Sequence, residues 1–138
     1  AIIVYEKAVE YYPEKVSFKV NLANMYSENK DYEKSIKIFE MLEEKYGLNE
    51  TATYAYIQTL LKTERYNDAQ KKTEDLIHEY PSGMQYYAVL AEILRKKGQG
   101  EKAREVYKTL LDEIRKMVKF SYLFVIYLLM KEDLKIFL

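Results

Sequence analysis

The sequence predicts an all-α fold, an α-α superhelix (solenoid) of stacked antiparallel helix hairpins. One observation is a step of 34 residues that carries similar residues onto one another along the chain. The series that shares a small residue is Ala1, Ser35, Ala69 and Ala103, and one that shares a large residue is Leu22, Tyr56, Leu90 and Phe124. A second observation is that each unit holds two helical stripes of apolar residues, with no strand-like alternation between them. A fixed period of this length indicates a repeat protein.

The composition is that of a globular chain and excludes several kinds of site. Of the 138 residues, 49% are hydrophobic and 32% are charged. The 22 Lys and Arg balance the 22 Asp and Glu, so the basic excess that drives nonspecific nucleic-acid binding is missing, and we predict no nucleic-acid partner. The absence of Cys excludes disulfides and thiolate metal sites and leaves the redox compartment open. The longest apolar stretch has about 11 residues, against the roughly 20 of a membrane span, so none is predicted.

The chain begins inside a repeat. Residues 1–15 are predicted to form the second helix, helix B, of a truncated unit. Pro13 ends that helix, because proline cannot continue one. We therefore expect this sequence to be a piece of a longer array within a single repeat domain, residues 1–138.

The first full repeat is predicted at residues 16–49. Its first helix, helix A, runs from Val16 to Glu28 and is separated by the polar turn 29–31 from a helix B at about Tyr32 to Tyr46. Gly47 follows, as a left-handed cap residue does at the end of a helix.

Two more full repeats are predicted, at residues 50–83 and 84–117. In the second repeat a turn falls near Glu64 and Pro81 closes helix B, while in the third repeat the sequence Gly98-Gln99-Gly100 marks the turn. Gly98 and Gly100 are not a phosphate loop, because no strand precedes them and no Gly-Lys-Ser/Thr follows.

The C-terminal residues 118–138 permit two interpretations. In register they are a partial repeat or capping helix, with a helix A over Val118 to Met130 and a truncated helix B over 134–138. Alternatively, one long helix runs from Glu101 to about Met130, since Arg115 stands where Pro or Gly should end the preceding helix. Residues 120–130 are apolar on every side, so further repeats, a partner or a second copy must cover them. Self-association through 118–130 is therefore one expectation.

The pattern within each unit resembles the tetratricopeptide repeat (TPR) family. The residues that carry the resemblance are Leu22-Ala23 with Tyr26, Ser35 with Phe39 and Gly47, Ala1 with Tyr5, Ala8 and Pro13, Leu90-Ala91 with Leu94, and Ala103 with Tyr107. The departures are the missing helix-A Trp, Thr73 in place of the helix-B aromatic residue, and Leu42, Leu76 and Leu110 at a position that is usually small. The resemblance implies small residues where helices approach closely and a concave surface lined by helix A.

The resemblance also implies a function, a non-catalytic scaffold that binds a peptide or partner protein on the concave helix-A face. The positions of this chain that match that face and that we predict to bind are Asn24, Tyr54, Gln58, Lys62, Glu92 and Arg95. Asn24, Gln58 and Glu92 are equivalent by the repeat and would form a ladder of hydrogen-bonding groups, with Tyr54 as an apolar anchor. Recognition of an acidic C-terminal tail is not expected, because of the four residues in the family's carboxylate clamp only Asn24 is matched.

No catalytic, cofactor or metal residue is predicted. His78 is the only His and has neither a second His nor a Cys to work with. Two other functions stay open: the docking arm of a larger enzyme, and an RNA-binding helical repeat similar to the pentatricopeptide proteins. The 34-residue period and the zero net charge count against the RNA-binding alternative, since that family has a 35-residue period and usually a basic groove.

Overall fold

Seven helices follow one another along the chain in a computed structural model that describes the backbone of residues 1–47 and 49–137 and the side chains of 1–47 and 49–131. The helices are α1 (Ile2–Tyr11), α2 (Val16–Glu28), α3 (Tyr32–Tyr46), α4 (Glu50–Lys62), α5 (Tyr66–Glu79), α6 (Met84–Lys96) and α7 (Gly100–Phe137). The described residues contain no strand.

Each helix packs against the next one in the chain, and α2 also packs against α4. The pairs α2–α3, α4–α5 and α6–α7 are helix hairpins, and α3–α4 and α5–α6 are the contacts that stack one hairpin on the next. The predicted fold class, a superhelix of stacked antiparallel hairpins, is confirmed.

The core has a small residue at each close approach of two helices. Ala23, Ala69, Ala91 and Ala103 are all buried, as predicted. Large side chains fill the space between hairpins: Phe39 of α3 stacks on Tyr56 of α4, with ring centroids 5.3 Å apart. Thr73, where the family has an aromatic residue, is buried and donates its hydroxyl to the Ala69 carbonyl at 2.6 Å.

The turn inside each hairpin has one backbone shape. Lys30, Glu64 and Gly98, spaced by the repeat, have positive φ of 64°, 58° and 78°. The N–H groups that follow donate to carbonyls five residues earlier: Asp31 to Tyr26 at 2.8 Å, Arg65 to Leu60 at 3.0 Å and Gln99 to Leu94 at 2.8 Å. These are Schellman turns, which satisfy the last carbonyls of helix A.

At the C-terminus the structure has the second of the two predicted alternatives, a single helix. α7 runs unbroken from Gly100 to Phe137, beyond the predicted end near Met130. The partial repeat at 118–138 is therefore not formed as a separate pair of helices, because no Pro or Gly interrupts residues 101–137. Leu138, the last residue of the predicted truncated helix B, and Leu48 in the first repeat lie outside the described residues.

Candidate binding groove

The first helices of two neighbouring repeats, α2 and α4, form the walls of a groove of about 320 Å³. Three predicted binding residues line it together: Asn24 from α2, and Gln58 and Lys62 from α4. Tyr5 of α1 contributes to the lining from the preceding unit. The groove therefore draws residues from three successive units of the chain.

Two buried hydroxyls form the floor of the groove and join its walls. Thr59 Oγ1 lies 3.1 Å from Ser27 Oγ, to which it donates. Lys62 Nζ lies 3.5 Å from the same Ser27 oxygen. These contacts join α2 and α4 at the floor of the groove.

The amide side chains of the walls are available to a ligand. Asn24, Gln58 and the neighbouring Asn21 are half-buried. Within the described part of the chain, none of these three side-chain amides has a hydrogen-bond partner. Each amide offers both a donor and an acceptor, the combination that an extended peptide backbone requires.

Tyr54 lies elsewhere. Its ring packs against Tyr86 of α6, with centroids 5.7 Å apart and planes inclined by 54°, and it does not line the groove. The Tyr86 hydroxyl in turn donates to the Glu50 carboxylate. Burial, reinforced by this hydrogen bond, raises the pKa of Tyr86 to about 12. Tyr54 thus belongs to the contact between α4 and α6.

Glu92 and Arg95 of α6 bind each other. Arg95 Nη2 lies 2.6 Å and Nε 3.1 Å from the two Glu92 carboxylate oxygens. The hydrogen bonds from the guanidinium group hold the pKa of Glu92 below its ordinary value. The six predicted residues therefore fall into three sets, and a binding role for any of them stays a prediction.

Asn21 and Thr59 are among the groove residues that sequence reasoning missed. Thr59 could have been found, because the apolar residues Met25 and Ile93 occupy the equivalent positions and a lone polar residue in an apolar series is unusual. Asn21 gives no such signal, since it is one polar residue among several on its helix.

The single His, His78, lies on the surface of the structure. His78 on α5 is exposed, with Nδ1 3.6 Å from the Glu79 carboxylate. Among the residues that the structure describes, no group of three His, Asp or Glu side chains is placed to hold a metal ion. In the same residues no helix is both long and apolar enough to cross a bilayer.

Two family models, each described as a tetratricopeptide repeat, match the chain at residues 54–116 and 16–41. Together they span more than half of it. The chain belongs to the TPR family. TPR arrays are protein-interaction modules, so the chain is a protein-interaction scaffold, and its repeats are typical of non-enzymatic proteins.

Solved structures share the fold at low sequence identity. MamA, residues 41 to the end, from Desulfovibrio magneticus RS-1 is 14% identical with a TM-score of 0.74, and the match covers 83% of this chain and 65% of that one. MamA AMB-1 is 15% identical with a TM-score of 0.68, covering 80% and 61%. The TPR chain thus spans less than two thirds of these MamA chains. No curated protein sequence matches it.

Proposed function

We propose that this TPR array binds an extended segment of a partner protein in the groove between α2 and α4. The observation that carries the proposal is the placement of Asn24 and Gln58, equivalent residues of two repeats, on one groove. Their amides would hydrogen-bond the backbone of the segment at two points one repeat apart. Recognition through the backbone gives affinity for extended chains of varied sequence.

The charge of the groove supports a protein ligand of no strong charge. Lys62 and Glu28 bring one charge of each sign to its lining. Glu92 and Arg95, the other predicted charged residues, neutralise each other on α6. A nucleic acid would need several unpaired cations along the groove, and its binding would weaken steeply with salt.

The experiment selects ligands first and then tests the amides. A displayed library of random linear peptides is panned against the chain, and selected peptides are measured by fluorescence polarisation. Because one hydrogen bond contributes about 1 kcal/mol, Asn24→Ala and Gln58→Ala are each expected to weaken binding roughly fivefold. The dissociation constant should change little between low and moderate salt.

The matched control is Asn67→Ala, which removes an exposed amide on α5 and is expected to leave binding unchanged. Circular dichroism must show equal helicity in all three variants. The proposal would be contradicted if the Asn24→Ala and Gln58→Ala variants bound every selected peptide as tightly as the parent chain does.

We also propose self-association of the chain through residues 118–130. The support is the exposure of large apolar side chains along this part of α7, among them Phe120, which is 73% exposed. Exposed apolar surface of this extent marks an interaction site. Sedimentation equilibrium is expected to give a mass that rises with concentration to a multiple of the chain mass, and a single-chain mass at all concentrations would contradict it.

A further inference from the structure

One contact between successive repeats is a stack of two aromatic rings. Phe39 on helix B of the first full repeat packs on Tyr56 on helix A of the next repeat. The repeat carries this pair to Tyr107 and Phe124. Both members of the equivalent pair are aromatic, so the sequence retains the same contact.

In α7 the two residues cannot meet within one chain. They lie 17 residues apart on a continuous helix, which separates them by about 25 Å. The result is visible in their exposure: Tyr107 is 41% exposed where Phe39 is 2%, and Phe124 is 53% exposed where Tyr56 is 7%. Tyr107 and Phe124 are thus the two residues of one inter-repeat contact, and both are exposed in the single chain.

One side of α7 carries a continuous stripe of mostly exposed residues. Steps of three and four residues connect its members, which we call the α7 seam: Tyr107, Leu110, Ile114, Met117, Ser121, Phe124 and Leu128. All are apolar except Ser121, whose equivalent Thr53 is itself buried. The charged Arg115 and Lys116 fall off the seam. Such spacing is that of helices that pack along their length.

We infer that two copies of the chain pair through the α7 seam in antiparallel orientation and exchange their helix-A segments. In this arrangement residues 118–130 of one copy lie on the helix-B surface of the other, around Tyr107. Each copy then completes the inter-repeat contact that its partner lacks. This inference rests on the proposed self-association and specifies its partner and register.

The occupant is a second copy because the seam is complementary to itself. Tyr107 of one copy faces Phe124 of the other, and the same register places Ile114 opposite Met117 near the two-fold axis. The interface continues the established stacking of α3 on α4 and of α5 on α6. Exchange of an identical element is a common route to symmetric dimers.

Cross-linking tests the register, and the absence of native Cys makes engineered thiols specific. One chain carries Tyr107→Cys, a second carries Phe124→Cys, and their mixture is treated with a short bismaleimide. A cross-linked dimer of the two different chains is expected. A pair with the same register on the opposite face of α7, Asp112→Cys mixed with Lys119→Cys, is the control and is expected not to link.

A second variant keeps the test independent of the thiols. Ile114→Lys places a charge at the centre of the seam and is expected to halve the mass measured by light scattering while binding selected peptides as the parent does. Because Ile114 is already partly exposed, the variant should fold.

Each remaining outcome overturns the inference. A dimer that fails to link Tyr107→Cys to Phe124→Cys excludes the exchange but leaves self-association standing. A single-chain mass at all concentrations excludes both. A chain with both substitutions that links only within itself shows that residues 118–130 fold back on their own array. Peptide binding is measured separately, so the groove is judged on its own.

Discussion

The small-residue series of the repeat contains one exception, Ser35. The equivalent residues Ala1, Ala69 and Ala103 are all alanine. Ser35 is completely buried, and in the described part of the chain its Oγ is the buried side-chain oxygen that has no hydrogen-bond partner. Burial of an unpaired hydroxyl costs free energy without any compensating bond.

Ser35→Ala is expected to raise the free energy of unfolding by about 1 kcal/mol, because it removes the unpaired hydroxyl and leaves the packing unchanged. The measurement is urea unfolding followed by circular dichroism. Ser27→Ala is the matched control: its oxygen accepts from Thr59, so the same change should lower stability by about 1 kcal/mol. Equal effects of the two substitutions would contradict this account.

At this scale the sequence predicts which positions are small more reliably than where a particular ring lies. The period identifies Ala23, Ala69 and Ala91 because a close helix contact tolerates little else. Tyr54 was predicted on the groove from its register, yet its ring leans onto Tyr86 of the next repeat. A long side chain can pack against any of several neighbours. Which one it contacts depends on the packing between repeats, which the register of one residue does not specify.

At the scale of the element, the hairpin turns also have one property that the sequence predicts and one that it does not. Their location follows from the polar and Gly-containing sequences that interrupt the apolar stripes. Their backbone conformation does not, because only Gly98 of the three equivalent residues announces a positive φ, while Lys30 and Glu64 adopt it without the help of glycine.

Gly98→Ala is expected to lower the free energy of unfolding by about 1 kcal/mol, since a Cβ disfavours the left-handed region. A Cβ there would meet no atom within 4 Å, so the effect comes from the backbone alone. Gly100→Ala, two residues later at the start of α7 and equally open, should leave stability unchanged or slightly higher. Thermal unfolding compares the stabilities of the two variants. Equal losses of stability would contradict the assignment of a left-handed backbone to Gly98.

For α7 the sequence contained the decisive signal. Pro13, Gly47 and Pro81 end the earlier helices of the same register, and Arg115 does not. The periodic apolar pattern nevertheless favours a separate helix A over 118–130. The structure follows the absence of a breaker, because a helix continues until some residue stops it.

At the scale of the whole molecule, the competition between the apolar period and the missing helix breaker predicts that one substitution can change the number of chains in the assembly. Arg115→Pro restores the residue type found at the equivalent positions 13 and 81, and a proline inside a helix costs about 3 kcal/mol. We expect α7 to break there and residues 118–130 to fold back on their own helix B. Light scattering should then give the mass of one chain, with nearly unchanged helicity.

Arg115→Ala is the control, because it removes the same side chain without breaking the helix, and it is expected to keep the mass of the dimer that we infer. An Arg115→Pro chain that remains a dimer, or that loses most of its helicity, would show that residues 118–130 are not an interrupted repeat.

The global architecture was the most predictable level, because the period specifies the order and stacking of hairpins. The groove was predictable in part: Asn24, Gln58 and Lys62 share it since they occupy related positions on adjacent helices A. Glu92 and Arg95 do not join them, because they lie on α6, one repeat further along the array, where they form an ion pair with each other.

The length of α7 sets a distance. In the inferred register Gly100 of one chain lies opposite Lys131 of the other, so two chains joined along α7 would begin their arrays about 46 Å apart along a stiff helix pair. A partner with two tandem motifs on a linker long enough to span both sites would bind bivalently, with an avidity 10²- to 10⁴-fold above that of one motif. Partners with shorter linkers would gain no avidity, so the paired helices would select among tandem ligands by the length of their linkers.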